Sequence, residues 1–369
     1  MRSCLRRALN KLSRVLTEVM KALQNDVFFM ECRNMVVLLV LVVLLTSMAS
    51  GLVTPVSNGL DQLVRAASST CDILPLEVLF SWASTPELDV VEYTHQGKKS
   101  YRLNKAHSSL RNRLPSFLVI YIPGWWNTPT DESADTLVKA LLHKTPLILV
   151  LDTRATFCRG YVGSASRVSS VSQKIYKFIK NIYSDGYPTT SIHLIGFSLG
   201  AHVAGMTGKL VQSRLNQKIG KITALDPARP CFTQLPQYRL NKKDANFVQV
   251  IHTSAGILGL EHAIGHADVY VNGVSSPQPE CREKAVSLEC DHAQSWKVFS
   301  ASIMNDRSLL GRQCKSWNEL SNGWCSGNET KVGYGCNTKT RGMFLHKTQE
   351  VSRKIWVFNP FDIRTWWLS

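Results

Sequence analysis

The sequence predicts an α/β fold with a mostly parallel central sheet and helices on both faces. Three observations predict it. Short apolar runs alternate with segments of helical period, a Gly-x-Ser-x-Gly turn joins one such run to one such segment, and the chain has the size of one large domain. Its 369 residues are 44% hydrophobic and 19% charged, an ordinary globular balance with enough length for a sizeable core. In chain order, strand-like Phe117–Ile122 and Pro146–Asp152 flank a helix-like Asp131–His143. Val168, Val171, Ile175, Phe178, Ile179 and Ile182 then recur at the spacing of one helix face. The run Ser191–Ile195 reads as a strand, Leu199–Val211 as a helix, and Lys221–Leu225, Asn246–His252 and Asp268–Val271 as later strands. Ala293–Met304 reads as a closing helix with His292 at its start. Strands alternating with helices in this way build parallel sheets covered on both sides.

The chemistry is concentrated in Gly196-Phe197-Ser198-Leu199-Gly200. A bare match of this pattern arises by chance in roughly one chain in ten, so the flanking strand and helix carry the signal. Between them the pentapeptide is a nucleophile elbow, a turn so tight that only Gly fits beside the serine, leaving Ser198 Oγ exposed at the top of the sheet. An acid and a histidine are expected later in the chain. Asp226 ends the run Lys221–Leu225 and precedes Pro227, at the rim where open α/β sheets place ligands; the plain alternative is a turn-capping aspartate. His292 is the expected base, taking the Ser198 proton and returning it to a leaving alcohol, with Asp226 fixing the imidazole tautomer. His252, His262 and His266 compete for the role, and His262 and His266 have a zinc-like spacing. Glu261 lies outside that pair and Gly259 and Gly265 oppose a helix, so these read as structural histidines bonded to loop carbonyls. His202 is expected to face the sheet. No metal and no cofactor are implied.

Ile195–Gly205, Leu225–Pro230, Val250–Thr253 and Ile264–Gly273 together resemble the pancreatic-type neutral lipase family, which includes animal phospholipases A1. The resemblance runs from about Cys71 to Gly342. It implies an α/β-hydrolase domain acting on lipid esters and carries the triad onto Ser198, Asp226 and His292. It also implies an oxyanion hole formed by the Trp125 and Leu199 N–H groups, with Trp125 in the loop Ile122-Pro-Gly-Trp-Trp126. Where the family usually has His, this chain has Pro123, which leaves the support of that loop open. The family's disulfide-closed lid corresponds to Cys281–Cys290, which here encloses only Arg282–Glu289, and the loop His252–His266 is also short. In the family this pairing marks phospholipases A1, so sn-1 hydrolysis of phospholipid is expected ahead of triacylglycerol hydrolysis. The residues after His292 are too few for the family's colipase-binding β-sandwich, so no colipase partner is expected. A contrary precedent is the insect yolk proteins, which share the fold without the nucleophile; the retained triad speaks against that role here.

Residues 1–49 read as a signal peptide with a long basic N-terminal extension. Met35–Leu45 is unbroken apolar sequence followed by small residues, too short for a comfortable bilayer span of ~20 residues. Residues 1–29 read as an extension of the start site, and the basic amphipathic stretch Leu9–Met20 makes mitochondrial targeting the rival reading. Residues 50–70 then read as a linker or propeptide-like segment, 71–345 as the α/β-hydrolase domain and 346–369 as a tail, in which five aromatics read as late core strands or a lipid-facing patch. Without Cys4 and Cys32 eight cysteines remain, an even number suited to export. The family pattern implies Cys281–Cys290 and Cys314–Cys325, and Cys71 with Cys158 is expected to tie the mature N-terminus to the sheet; Cys231 and Cys336 are left open. Asn328-Glu-Thr330 is a glycosylation sequon. The net charge of +16 suits anionic membranes or sulfated glycans, or is simply a basic solvated exterior. No motif favours nucleic acid, and the oligomeric state is not legible.

Overall fold

Alternation along one strand fixes the layering. In β3 (Leu118–Ile122) the side chains of Leu118, Ile120 and Ile122 enter one hydrophobic cluster, while Val119 and Tyr121 enter another on the opposite face. Every residue of this strand is buried, as expected of a parallel strand covered on both sides. The computed structural model describes residue 71, residues 84–274, 277–282 and 287–348, all within one compact unit, Leu60–Ser369. The expectations for the signal peptide, the linker and the aromatic tail lie outside the described residues.

The elements begin with β1 (Asp89–Thr94), β2 (Gly97–Arg102) and α1 (Leu103–Leu110). After β3 come α2 (Glu132–Leu142), β4 (Leu147–Asp152), α3 (Val168–Ser184), β5 (Ile192–Phe197) and α4 (Leu199–Leu215). The order continues with β6 (Ile219–Leu225), β7 (Ala245–His252), β8 (Ala267–Val271) and α5 (Ser287–Met304), and closes with β9 (Leu310–Cys314), β10 (Glu329–Lys331) and β11 (Gly342–His346). The strands form one sheet in the order β10-β9-β11-β8-β7-β6-β5-β3-β4-β1-β2. From β11 to β4 all neighbours are parallel, and antiparallel strands extend both edges.

Each helix covers the face its apolar stripe selects. Val168, Val171, Ile175, Phe178, Ile179 and Ile182 of α3 are all buried, packed with residues of α1 and α4 against one face. Leu137 and Leu141 of α2, with Trp296, Phe299 and Ile303 of α5, cover the other. Asp131 starts α2 by accepting the Ala134 N–H at 3.0 Å. The chain thus has the α/β-hydrolase arrangement.

Register then brings distant loops together. Phe197 at the end of β5 pairs with Leu225 at the end of β6, and Leu225 pairs with Ile251 in β7. Residues 198, 226 and 253 therefore leave the sheet side by side at its C-terminal edge.

Two disulfides match the expected pairs. Cys281–Cys290 closes a short loop with Cα atoms 5.6 Å apart, and Cys314–Cys325 does the same at 4.5 Å. The third corrects the expected Cys71–Cys158 pair: Cys71 is joined to Cys231, Cα to Cα 5.0 Å, and Cys158 is itself disulfide-bonded. The loop after β6 brings Cys231 to Cys71, 160 positions away, a pairing that spacing along the chain does not reveal. Cys336 is a buried free thiol.

Candidate active site

Ser198 lies between β5 and α4 with φ 55° and ψ −118°, a conformation that costs an L-residue energy and is kept only where its surroundings impose it. The two elbow glycines explain how. A side chain on Gly196 would come within 2.6 Å of the Ala201 Cα, and one on Gly200 would meet the carbonyls of Ile122 and Pro123. Strand, turn and helix pack closer here than any Cβ permits. The Ser198 N–H is bonded to the Leu225 carbonyl at 3.0 Å, and the Ser198 carbonyl accepts the Ala228 N–H at 3.3 Å, which ties the elbow to the next strand. Leu199 is the first residue of α4, so its N–H is one of the donors a helix leaves without an internal partner.

Asp226, fully buried, also has positive φ, 44°. Its Oδ2 is 2.5 Å from His292 Nδ1. Burial pushes the Asp226 carboxyl up, but hydrogen bonds from His292, Ser254 and the Thr253 N–H outweigh this and hold it below its ordinary value. His292 is not at the start of its helix, as the sequence suggested: α5 already runs from Ser287, and the Cys281–Cys290 bridge pins its first turn. The imidazole lies against Phe197, the residue before Ser198, with ring centroids 4.6 Å apart. Ser198 is 7% exposed and the His292 side chain 13%, so both reach solvent from an otherwise closed floor.

The loop after β3 closes over the elbow. A Cβ on Gly124 would stand 2.9 Å from the Ser198 Cβ. Trp125 is held by its indole N–H on the Arg159 carbonyl at 2.8 Å and by edge contact with Tyr161. Trp126, stacked on Trp125 at 4.3 Å, is 36% exposed with φ 60°. The support left open by Pro123 comes from Asp131, which accepts from the Asn127 side chain at 2.5 Å and from the Thr128 N–H at 3.1 Å.

The competing histidines are engaged elsewhere. His252 bonds the Leu260 carbonyl and Asp268, and stacks on Tyr270. His266 Nδ1 accepts the Val248 N–H, and the His262 ring lies 6.0 Å from that of Trp317. His202 is buried and held by structural contacts: its Nε2–H donates to the Ala228 carbonyl at 2.7 Å, its Nδ1 accepts the Leu240 N–H at 3.3 Å, and its ring stacks on Phe232. It braces the connection after β6. Asn328 is exposed just before β10.

The sequence reading missed Ser254. This buried residue, two past the end of β7, donates its hydroxyl to Asp226 Oδ2, and its N–H reaches Asp226 Oδ1 at 3.2 Å. A lone serine in a loop carries no signal; only the β6–β7 register reveals the contact.

A model of the Lipase family matches residues 84–357. Lipase member H-B of Xenopus laevis is 38% identical over 171 residues, covering 45% of this chain and 36% of its own. Pancreatic triacylglycerol lipase of Myocastor coypus is 28% identical over 318 residues, 77% of this chain and 67% of its own. Pancreatic lipase-related protein 2 of Bos taurus is 37% identical over 188 residues, covering 45% and 39%. The matched stretch thus spans from roughly a third to two thirds of the length of these relatives.

Proposed function

The chain belongs to the Lipase family, and from that premise we propose that it is a serine carboxylic ester hydrolase of lipids, acting on the sn-1 ester of phospholipids. The observation that carries the reading is the 2.5 Å contact between Asp226 Oδ2 and His292 Nδ1, beside a serine held in a strained elbow. Ser198 Oγ adds to the ester carbonyl carbon while His292 Nε2 takes its proton, and the carbonyl π electrons move to oxygen. The Leu199 and Trp125 N–H groups receive that oxyanion; losing one such donor costs about 10²–10³ in turnover. His292 returns the proton to the leaving alcohol, and water repeats the sequence on the acyl-enzyme. Asp226 holds Nδ1–H and offsets the imidazolium charge.

The phospholipid preference is supported by the small lid loop between Cys281 and Cys290, only nine positions apart. A polar headgroup reaches such a cleft without being buried unpaired. The disulfides and the exposed Asn328 support a secreted, glycosylated protein.

The test compares fatty-acid release from phosphatidylcholine and from triacylglycerol emulsions, with Ser198→Ala as the control. The expected result is 2-acyl lysophospholipid, abolished in the variant. Release from triacylglycerol alone overturns the phospholipid assignment and leaves a triacylglycerol lipase. Failure of Ser198 to react with a fluorophosphonate leaves a catalytically silent lipid-binding protein.

A further inference from the structure

The carboxylate of Asp226 is saturated in a way the three-residue machinery does not require. Oδ1 accepts the Thr253 N–H at 2.9 Å and the Ser254 N–H at 3.2 Å. Oδ2 accepts the Ser254 hydroxyl as well as His292 Nδ1–H. The Ser254 hydroxyl is itself oriented. Its oxygen accepts the Gly259 N–H at 3.0 Å, which occupies a lone pair and leaves its single hydrogen to point at the carboxylate. Ser254 Oγ also lies 3.5 Å from His292 Nδ1, so it stands in the angle between acid and base. Ser254 is 1% exposed, and Gly259 packs so closely on the Asp226 carboxylate that no side chain fits between them.

We propose that Ser254 is a positioning residue of the reaction, its hydroxyl clamping Asp226 Oδ2 and sharing the charge that His292 feels. This rests on the ester-hydrolase reading above. Without the clamp Oδ2 keeps only its bond to His292, so the carboxylate is fixed by its Oδ1 bonds alone and offers the imidazole a less rigid partner. At the same time Oδ2, no longer sharing its charge with a hydroxyl, attracts the imidazolium more strongly.

The groups facing the imidazole define what else could act on it. From the end of β5 this is Phe197, from the end of β6 Asp226, and from the loop after β7 Ser254, while the Thr253 hydroxyl bonds the His292 backbone carbonyl. On α5 itself the neighbouring carboxylate is Asp291, which is buried and bonded to the Gln278 N–H at 2.7 Å.

The test is the pH profile of kcat/KM for a soluble p-nitrophenyl ester in wild type, Ser254→Ala, Ser254→Thr and Ser198→Ala. Ser254→Ala is expected to lower kcat/KM by about 10-fold or more, the scale of one hydrogen bond to a charged group. The acid limb of its profile is expected to differ from that of wild type, because the carboxylate facing the imidazole is no longer held by the hydroxyl. Ser254→Thr, which keeps the hydroxyl, is expected to restore most of the rate and the original limb. Wild-type rate and profile in Ser254→Ala overturn the proposal. So does a rate loss that merely follows the folded fraction seen in thermal unfolding, with the limb unmoved. Retained turnover in Ser198→Ala is a different failure, because it removes the underlying ester-hydrolase reading and not the Ser254 clamp alone.

Discussion

Asp226 Oδ2 and His292 Nδ1 lie 2.5 Å apart although 66 positions separate them in the chain. The acid comes from the end of β6 and the imidazole from the interior of α5, so neither local sequence creates the pair. Asp226→Asn keeps the shape and removes the charge that fixes the tautomer. Turnover of a soluble ester is expected to fall by about 10⁴-fold, with the folded state retained by circular dichroism. A loss under tenfold would show that another group orients His292.

Gly124 is where the loop after β3 touches Ser198. An added methyl would stand 2.9 Å from the Ser198 Cβ, 3.0 Å from Asn127 Oδ1 and 3.2 Å from Phe197 Cδ1. Gly124→Ala is expected to displace loop or serine and to cut kcat by about 10²-fold, the scale of a small misplacement of reacting groups. Gly163→Ala, which would meet only the end of the Arg167 side chain at 3.6 Å, is expected to leave turnover unchanged. Equal activity in both variants would rule out tight packing of this loop on Ser198.

The disulfides are expected to differ in their effect on stability. Cys71–Cys231 closes 160 positions and Cys281–Cys290 only nine. Loop-closure entropy gives about 5 kcal/mol for the first and about 3 kcal/mol for the second. Denaturant unfolding of Cys71→Ser/Cys231→Ser and Cys281→Ser/Cys290→Ser variants checks the order, which a larger loss in the second would reverse.

His202 makes stability depend on pH. Burial is the main reason its pKa falls to about 3, from an ordinary 6.5. The folded state therefore binds fewer protons than the unfolded chain across that range. This contribution is complete above about pH 6.5 and is lost as pH falls toward 3. His202→Gln is expected to be less stable than wild type at pH 8 and to lose less on acidification. Parallel pH curves for the two proteins would contradict it.

Much of the molecule was legible because each signal was local. The apolar runs of β3, β4, β5 and β7 are the strands observed to within a residue or two, since strands buried on both faces must be continuously hydrophobic. The six apolar positions of α3 form one stripe because helical period leaves no other way to bury them. Ser198 was legible because its turn needs glycines at fixed offsets. The hairpin β1–β2 was not, because an edge strand such as Gly-Lys-Lys-Ser-Tyr-Arg is solvated and has no apolar alternation to show. The extent of α5 was misread because its first turn, Ser287-Leu-Glu-Cys290, belongs to the bridged lid in sequence and to the helix in space.

The amino-acid sequence by itself determined the layered α/β architecture, the cramped serine turn and the acid and imidazole that accompany it. Those follow from period, turn chemistry and residue type over a few positions. Only the tertiary structure decided that Cys71 meets Cys231, that His202 braces a loop, and that Ser254 bonds Asp226. Each is a relation between segments distant in the chain that no local pattern encodes, and for Ser254 it is the register of β6 on β7 that sets it.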